Sequence, residues 1–481
     1  MHLTVILRIT GTLLTLFSFA FLLPVIVGLL YGEPTLSTFF SAFAITLLSG
    51  LVLWLPLRGK RELRGGDGFL VTALFYLGLG IFGAIPFWLA DATDLTFTAS
   101  VFESISGLTT TGATTIAGLD DLPKSLLLYR QMLQWMGGMG IIVLAVAIFP
   151  MLGIGGMQLY RTESAGPIKD NKLTPRITET AKALWYIYIG LTAACAFAYW
   201  LAGMDGFDAV SHSFSTVSIG GFSTHDASLG YFDSAAIETV AIVFMTLSGI
   251  NFALHFLVWR RRNPLHYFRD MEVRAYLLVL LLVAIVVSAI LWLNPNSTSQ
   301  PLRDGLFQAV SITTTTGFTT DNFAAWPSVA PIILLFAAFA GGCAGSTAGG
   351  IKIIRVLMIY LQGMREVKRL IHPNGVFTIK MGRNAVSDRL VDAVWSFFSV
   401  YVFFFLLSVC ALMAVGDLDF ITAFSAVGAC LNNLGPGLGD VAVNYADISP
   451  SIKWILIFNM VLGRLEIFTL LVLLTPAYWR W

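Results

Sequence analysis

Four short tracts rich in threonine, serine, asparagine and glycine recur along this chain. They are Leu108 Thr109 Thr110 Thr111 Gly112 Ala113 Thr114, Val217 Ser218 Ile219 Gly220 Gly221 Phe222 Ser223, Thr313 Thr314 Thr315 Thr316 Gly317 Phe318 Thr319, and Leu431 Asn432 Asn433 Leu434 Gly435 Pro436 Gly437. Aligned on Gly112, Gly221, Gly317 and Gly435, they lie 109, 96 and 118 residues apart, each interval the length of two membrane spans plus loops. Extended backbone at membrane depth is tolerated only inside protein or along a water-filled cavity, because its carbonyls need partners. Four such tracts meeting on one axis would present rings of carbonyl oxygens, which replace the hydration shell of a cation. Glycine supplies dihedrals that a side chain forbids. A single Thr/Gly tract reads equally well as helix packing. Four copies at matched positions favour an ion filter.

The rest of the chain supplies elements to position these tracts. Of 481 residues, 57% are apolar or aromatic and 12% charged, against roughly 25% charged in a soluble domain. Apolar segments fit to span lie at 5–31, 37–57, 68–90, 126–150, 183–203, 235–259, 273–293, 327–361, 391–415 and 452–476, which makes about ten crossings. The first segment is too long for the apolar region of a signal peptide, and no small-residue cleavage site follows Pro24. Each tract follows an acid and a short apolar stretch, as in Asp208 to Val217 and Asp304 to Ile312. Such stretches are too short to cross and read as re-entrant helices. The fold class expected is an all-α polytopic membrane protein with four pseudo-repeated helix, pore-loop, helix units, which would enclose one pore if the tracts meet on one axis. A cytosolic enzyme, a disulfide scaffold and a nucleic-acid binder are excluded. Cys195, Cys343, Cys410 and Cys430 sit in apolar segments without ligand spacing and read as core hydrophobes.

Charge sets the orientation. Sorting bases by loop puts 24 of the 29 Lys and Arg on one side, leaves Lys124, Arg130, Arg303 and Lys453 on the other, and strands Arg464 inside a span. The positive-inside rule makes the first side cytoplasmic, with both termini there. Acids including Asp91, Asp120, Asp208, Asp226, Asp304, Asp321 and Asp419 gather on the outer side. That either concentrates cations or reflects only the absence of the rule for acids.

Two features suggest a gate. The segment 327–361 would be roughly 52 Å long as one helix, against a core of about 30 Å. In its middle, Gly341 Gly342 Cys343 Ala344 Gly345 Ser346 Thr347 Ala348 Gly349 Gly350 places five glycines in ten residues. This reads as a polar intramembrane loop containing Gly345, Ser346 and Thr347, beneath the third tract; a small-residue packing face is the alternative. Arg464 stands near the middle of the last span, between Asn459 and Glu466. A mid-membrane charge is expensive and points to function: here, projecting below the filter and repelling cations, or satisfying loose carbonyls and holding the loop shut. Glu466, two residues away, faces elsewhere on a helix.

Other signals carry less. Gly78 to Gly83 matches GxGxxG but lies in an apolar span without a preceding strand, so it reads as helix packing. The six histidines show no metal or triad spacing. Glu103, in the first short helix, would support the filter or complement that helix's N-terminal dipole. The main alternative function is a secondary transporter of a small organic solute, a class usually built of two related halves rather than four equivalent tracts. A membrane enzyme would need clustered acids or histidines within the spans, and no catalytic or organic-cofactor site is evident.

The tracts TTTGAT, SIGGFS, TTTGFT and NNLGPG, with GGCAGSTAGG and the final GRLEIF, resemble the Trk/Ktr/HKT superfamily of potassium transporters over essentially the whole chain. The resemblance implies two extra transmembrane helices (1–62) and four pore repeats (63–175, 176–265, 266–385 with a broken second helix, and 386–481). It implies a potassium filter formed by Thr109, Thr110, Thr111, Gly112; Ser218, Ile219, Gly220, Gly221; Thr314, Thr315, Thr316, Gly317; and Asn432, Asn433, Leu434, Gly435. Potassium, the transported ion, would be met by Thr110, Thr111, Ile219, Gly220, Thr315, Thr316, Asn433 and Leu434, with Gly345, Ser346, Thr347, Arg464 and Glu466 at the gate. The fourth segment departs from the Thr-rich form, which makes fourfold symmetry there approximate. The resemblance further implies a bacterial inner-membrane location, a homodimer with a pore in each chain, and a cytosolic nucleotide-binding regulatory ring of TrkA type docked on the basic segments Arg161–Lys182 and Gly363–Arg389.

Overall fold

The structure, a computed structural model, describes residues 3–55, 67–143, 177–294, 296–327, 329–382 and 384–480. Most of the basic segment Arg161–Lys182 and the bases Arg58, Lys60, Arg61 and Arg64 lie outside the described residues. The described chain is helical, apart from short turns and a two-residue antiparallel ladder pairing Lys380 with Ala385 and Met381 with Asn384.

The first span runs as Leu3–Ser18 and Leu22–Tyr31 and packs on Leu36–Trp54. Their approach is close because the contact is built on glycine: a Cβ at Gly11 would lie 2.8 Å from the Gly50 carbonyl oxygen, and one at Gly50 2.5 Å from Thr15 Oγ1. Four units follow, each a long helix, a short helix and a second helix. The long helices are Asp67–Gly83 continued by Ile85–Leu89, then Ile177–Leu201, Met271–Leu293 and Asp388–Val415. The short ones are Phe97–Leu108, Gly206–Ser218, Pro301–Thr313 and Phe420–Asn432.

Six described helices are long and apolar enough to cross a membrane, and two bent pairs raise that to eight. Lys124–Val143 and the pair Val329–Ala340 and Ile353–Ile371 account for the remaining apolar segments. The chain is a multi-pass membrane protein. Its polarity is inverted relative to a soluble fold: Leu30 and Leu293 are more than three-quarters exposed, whereas Ser100, Ser104, Ser211, Ser215, Ser311 and Ser425 on the short helices are buried. The acids before the tracts have a local reason. Asp205 and Asp419 cap the second and fourth short helices through backbone amides, Thr96 caps the first, and Pro301 opens the third.

Two of the expected spans, 235–259 and 452–476, are each built as a bent pair of helices. Ala235–Ser248 meets Phe252–Arg261 at 94°, and Pro450–Arg464 meets Phe468–Leu474 at 116°. The first break follows Gly249 and Asn251, whose side chain caps the new helix through the Ala253 amide. The second turns on Glu466 and Ile467, both at positive φ (55° and 53°). The break expected in 327–361 is present, between Ala340 and Ile353.

Candidate ion pathway

All four short helices end in the same way. The first residue beyond the regular helix, or the one after it, turns left-handed: Thr110 (φ 53°), Ile219 (56°), Thr315 (67°) and Asn433 (54°). The following amide bonds back five residues, Thr111 to Ser106, Gly220 to Ser215, Thr316 to Ser311 and Leu434 to Ala429, each at 2.8 Å. These are helix C-cap bonds that satisfy the last carbonyls and release the chain in extended form. Two residues after the left-handed one comes a glycine, Gly112, Gly221, Gly317 or Gly435, with φ of 80°, 80°, 84° and 97°. The unlike sequence of the fourth tract therefore leaves its backbone path unchanged.

The four glycines close a ring. A Cβ on Gly112 would lie 2.1 Å from the Gly220 carbonyl oxygen, one on Gly221 2.0 Å from that of Thr316, one on Gly317 2.1 Å from that of Leu434, and one on Gly435 2.8 Å from that of Thr111. Each segment thus abuts the next in chain order, and the last returns to the first. Thr109, Thr110, Thr111, Thr314, Thr315, Thr316, Asn432, Asn433 and Leu434 are all buried around it. In the first and third segments the hydroxyls pair, Thr109 with Thr111 and Thr314 with Thr316, both at 2.7 Å.

Behind the first two segments stands a polar face of Lys124–Val143. Arg130, fully buried, donates from Nε to Glu103 Oε1 at 2.8 Å and from Nη1 to the Ser223 carbonyl at 2.9 Å, and lies 4.2 Å over the Phe222 ring. Glu103 also accepts from the Thr115 amide at 2.8 Å. It sits in the middle of its helix, away from the N-terminal turn, so the support role and not the dipole role applies. One turn further, Gln134 bonds both Gly220 and Phe222. At the junction of the first two units, His225 lies between Asp120 (2.5 Å) and Asp208 (3.2 Å) and stacks on Tyr231. Partial burial opposes its charge, but the two carboxylates prevail and hold its pKa above the usual value of 6.5.

Beneath the ring lies the loop Gly341–Lys352. The Thr347 hydroxyl donates to the Val217 carbonyl at 3.0 Å, the Gly349 amide to Thr315 Oγ1 at 2.7 Å, and the Gly350 amide to the Asn432 carbonyl at 3.0 Å. The loop therefore touches the helix-proximal ends of the second, third and fourth segments. It is also seated on the break after Ser248: the Cys343 amide donates to the Gly249 carbonyl at 2.8 Å, and the Phe252 amide to that of Gly345 at 3.0 Å. Ser346 bonds back to the Cys343 carbonyl. Arg464 donates from Nη1 to the Thr347 carbonyl at 3.0 Å and from Nη2 to the Gly137 carbonyl at 3.1 Å, which ties the loop to the first repeat.

Against known proteins, the match spans residues 35–480 and is to TrkH, described as a cation transport protein. The chain belongs to the TrkH family. It is 55% identical over 480 residues to the Trk system potassium uptake protein TrkH of Vibrio parahaemolyticus, covering 99% of each chain. It is 53% identical to the TrkH of Escherichia coli K12 over the full length of both, and 40% identical to the TrkG of that organism. The crystal structure of the potassium transporter TrkH from Vibrio parahaemolyticus is similar with a TM-score of 0.91 at 53% identity, covering all of both chains.

In this TrkH-family chain, the ring contacts join Thr111, Gly112, Gly220, Gly221, Thr316, Gly317, Leu434 and Gly435 of the residues expected at the filter, and the loop reaches Thr315 and Asn432 while its Thr347 is held by Arg464. Arg464 is not at mid-helix: it is the last residue of Pro450–Arg464, at the break. Glu466 pairs with Arg355 at 2.5 Å, so it bridges the break to Ile353–Ile371, the helix that follows the loop. Arg130 and Gln134 were missed as supports. Their signal was present, as Arg130, Gln131 and Gln134 interrupt an apolar run, but the second-segment carbonyls they bond lie 86 to 93 residues away. Among the described residues, no group of three or more His, Cys, Asp and Glu forms a metal site.

Proposed function

We propose that the chain is the pore-forming subunit for potassium uptake across a bacterial inner membrane. The observation that carries this reading is the closed ring of four glycine-to-carbonyl contacts. Uncharged backbone oxygens in rings suit a cation that sheds its water readily. Thr110, Thr111, Ile219, Gly220, Thr315, Thr316, Asn433 and Leu434 would supply them. The names of the full-length relatives, Trk system potassium uptake proteins, support potassium as the cargo.

In the same reading, the loop through Gly345, Ser346 and Thr347 is the gate. Arg464 holds it shut by bonding the Thr347 carbonyl and places positive charge below the filter. Glu466 acts one step removed, by fixing Arg355 on the helix that leaves the loop. The five-part division at residues 62, 175, 265 and 385, both termini in the cytoplasm, a homodimer, and a nucleotide-binding ring on the basic cytoplasmic segments complete the proposal.

The test is cation flux into liposomes bearing the purified protein, comparing potassium, rubidium and sodium with and without a proton gradient. Potassium and rubidium flux without the gradient marks a gated passive pore, and flux only with it marks a symporter. Accumulation of an organic solute without any cation flux would refute the reading.

A further inference from the structure

The second filter segment has two consecutive glycines, Gly220 and Gly221, where the others have Thr111–Gly112, Thr316–Gly317 and Leu434–Gly435. Gly221 is explained by its φ of 80° and by the Thr316 carbonyl against it. Gly220 is not, since it lies outside the positive-φ glycines and the matching position bears a side chain in every other segment. The space it leaves is filled by Gln134. A Cβ on Gly220 would lie 2.4 Å from both Cδ and Oε1 of Gln134 and 2.8 Å from Nε2.

The carboxamide of Gln134 is fully buried and used at both ends. Nε2 donates to the Gly220 carbonyl at 2.6 Å, and Oε1 accepts from the Phe222 amide at 3.0 Å. The two bonds straddle Gly221. In the first and third segments the corresponding restraint is internal, through the Thr109–Thr111 and Thr314–Thr316 hydroxyl pairs. A carbonyl oxygen has two lone pairs. One Gly220 lone pair is taken by Gln134 and the other remains for an ion.

We propose that Gln134 is a specificity-determining positioning residue: a side chain lent by the second helix of the first repeat in place of the one Gly220 lacks, holding the Gly220 carbonyl at potassium distance. A tethered oxygen resists moving inward onto the smaller sodium ion, which is how discrimination would suffer without it. The proposal rests on the filter reading above.

The experiment compares potassium and sodium flux through the full-length protein in liposomes for wild type, Gln134→Ala, Gly220→Ala and the double variant, with thermal unfolding as a fold control. Wild type that fails to discriminate the two ions overturns the filter reading itself. Where wild type discriminates, Gln134→Ala lowers the potassium-to-sodium ratio about tenfold, the scale of one buried hydrogen bond. Gly220→Ala does the same, because the new methyl expels the carboxamide. The double variant is no worse than either single, since both remove one interaction. An unchanged ratio in well-folded Gln134→Ala, or single losses that add in the double, overturns the proposal. Should Gln134→Ala not fold, Gln134→Met, of similar length but with no hydrogen-bond donor for the Gly220 carbonyl, takes its place: a lowered ratio supports the proposal and an unchanged one overturns it.

Discussion

Replacing each filter glycine by alanine should damage the ring unequally, in an order set by its geometry. At Gly112, Gly221 and Gly317 a Cβ would meet a neighbouring carbonyl oxygen at 2.1, 2.0 and 2.1 Å. Ordinary contact needs roughly 1.3 Å more, and the atom in the way is backbone, which cannot swing aside. At Gly435 the gap is already 2.8 Å, so a shift of roughly 0.6 Å suffices. All four share the strain of a side chain at positive φ, about 1–2 kcal/mol, while overpacking adds about 1–3 kcal/mol at the three tight sites. The sum there, roughly 2–5 kcal/mol, corresponds to a loss of about 30-fold or more in potassium-selective flux. Gly435→Ala should lose less than the other three. The assay is rubidium uptake into liposomes, with sodium as competitor and thermal unfolding in detergent alongside. Equal losses at all four positions, or three silent variants at the tight sites, would show that the ring contacts do not govern permeation.

Arg464→Ala should raise cation flux, since it removes both the charge below the filter and the bond to the Thr347 carbonyl; unchanged flux in a folded variant sinks the barrier idea. Glu103→Gln leaves Arg130 without its buried counter-charge and should cost about 3–5 kcal/mol, read as a fall in melting temperature, while Glu103→Met combined with Arg130→Met recovers part of it. His225→Gln should abolish a pH dependence at the junction of the first two units, where Asp120 and Asp208 flank His225. A pKa raised by Asp120 and Asp208, against partial burial and with Tyr231 stacked above, means stabilisation present below about pH 6.5 and lost as pH rises through the raised value. The melting temperatures of wild type and His225→Gln should therefore differ in mild acid and converge in alkali.

Much of this architecture was legible in the sequence, because the constraints that dictate it leave compositional traces. Glycine at positive φ against a carbonyl is hard to replace, so Gly112, Gly221, Gly317 and Gly435 align four tracts of which only the first and third are alike in sequence. The same reasoning located the break between Ala340 and Ile353, where glycines crowd. The bends at Gly249 and Glu466 were invisible to hydropathy, since the chain is apolar on both sides of each turn and Glu466 and Ile467 are ordinary residues in an unusual conformation. The left-handed residues Thr110, Ile219, Thr315 and Asn433 share a dihedral but no single residue type, and none is glycine, so no pattern flags them. Supports such as Arg130, bonded to a carbonyl 93 positions away, become readable only when the fold brings the repeats together.

A ring assembled from four copies of one gene product would receive every mutation four times over. This one is drawn from a single chain, so each quadrant is encoded at its own positions and a change falls on one side of the axis alone. The asymmetry of Gly220 and Gln134, like the Asn432 Asn433 Leu434 sequence opposite, is the kind of divergence that such a lineage accumulates and a homotetramer is denied. The shared backbone path sets the limit: side chains drift quadrant by quadrant, while the four glycines bind the fate of each segment to its neighbour.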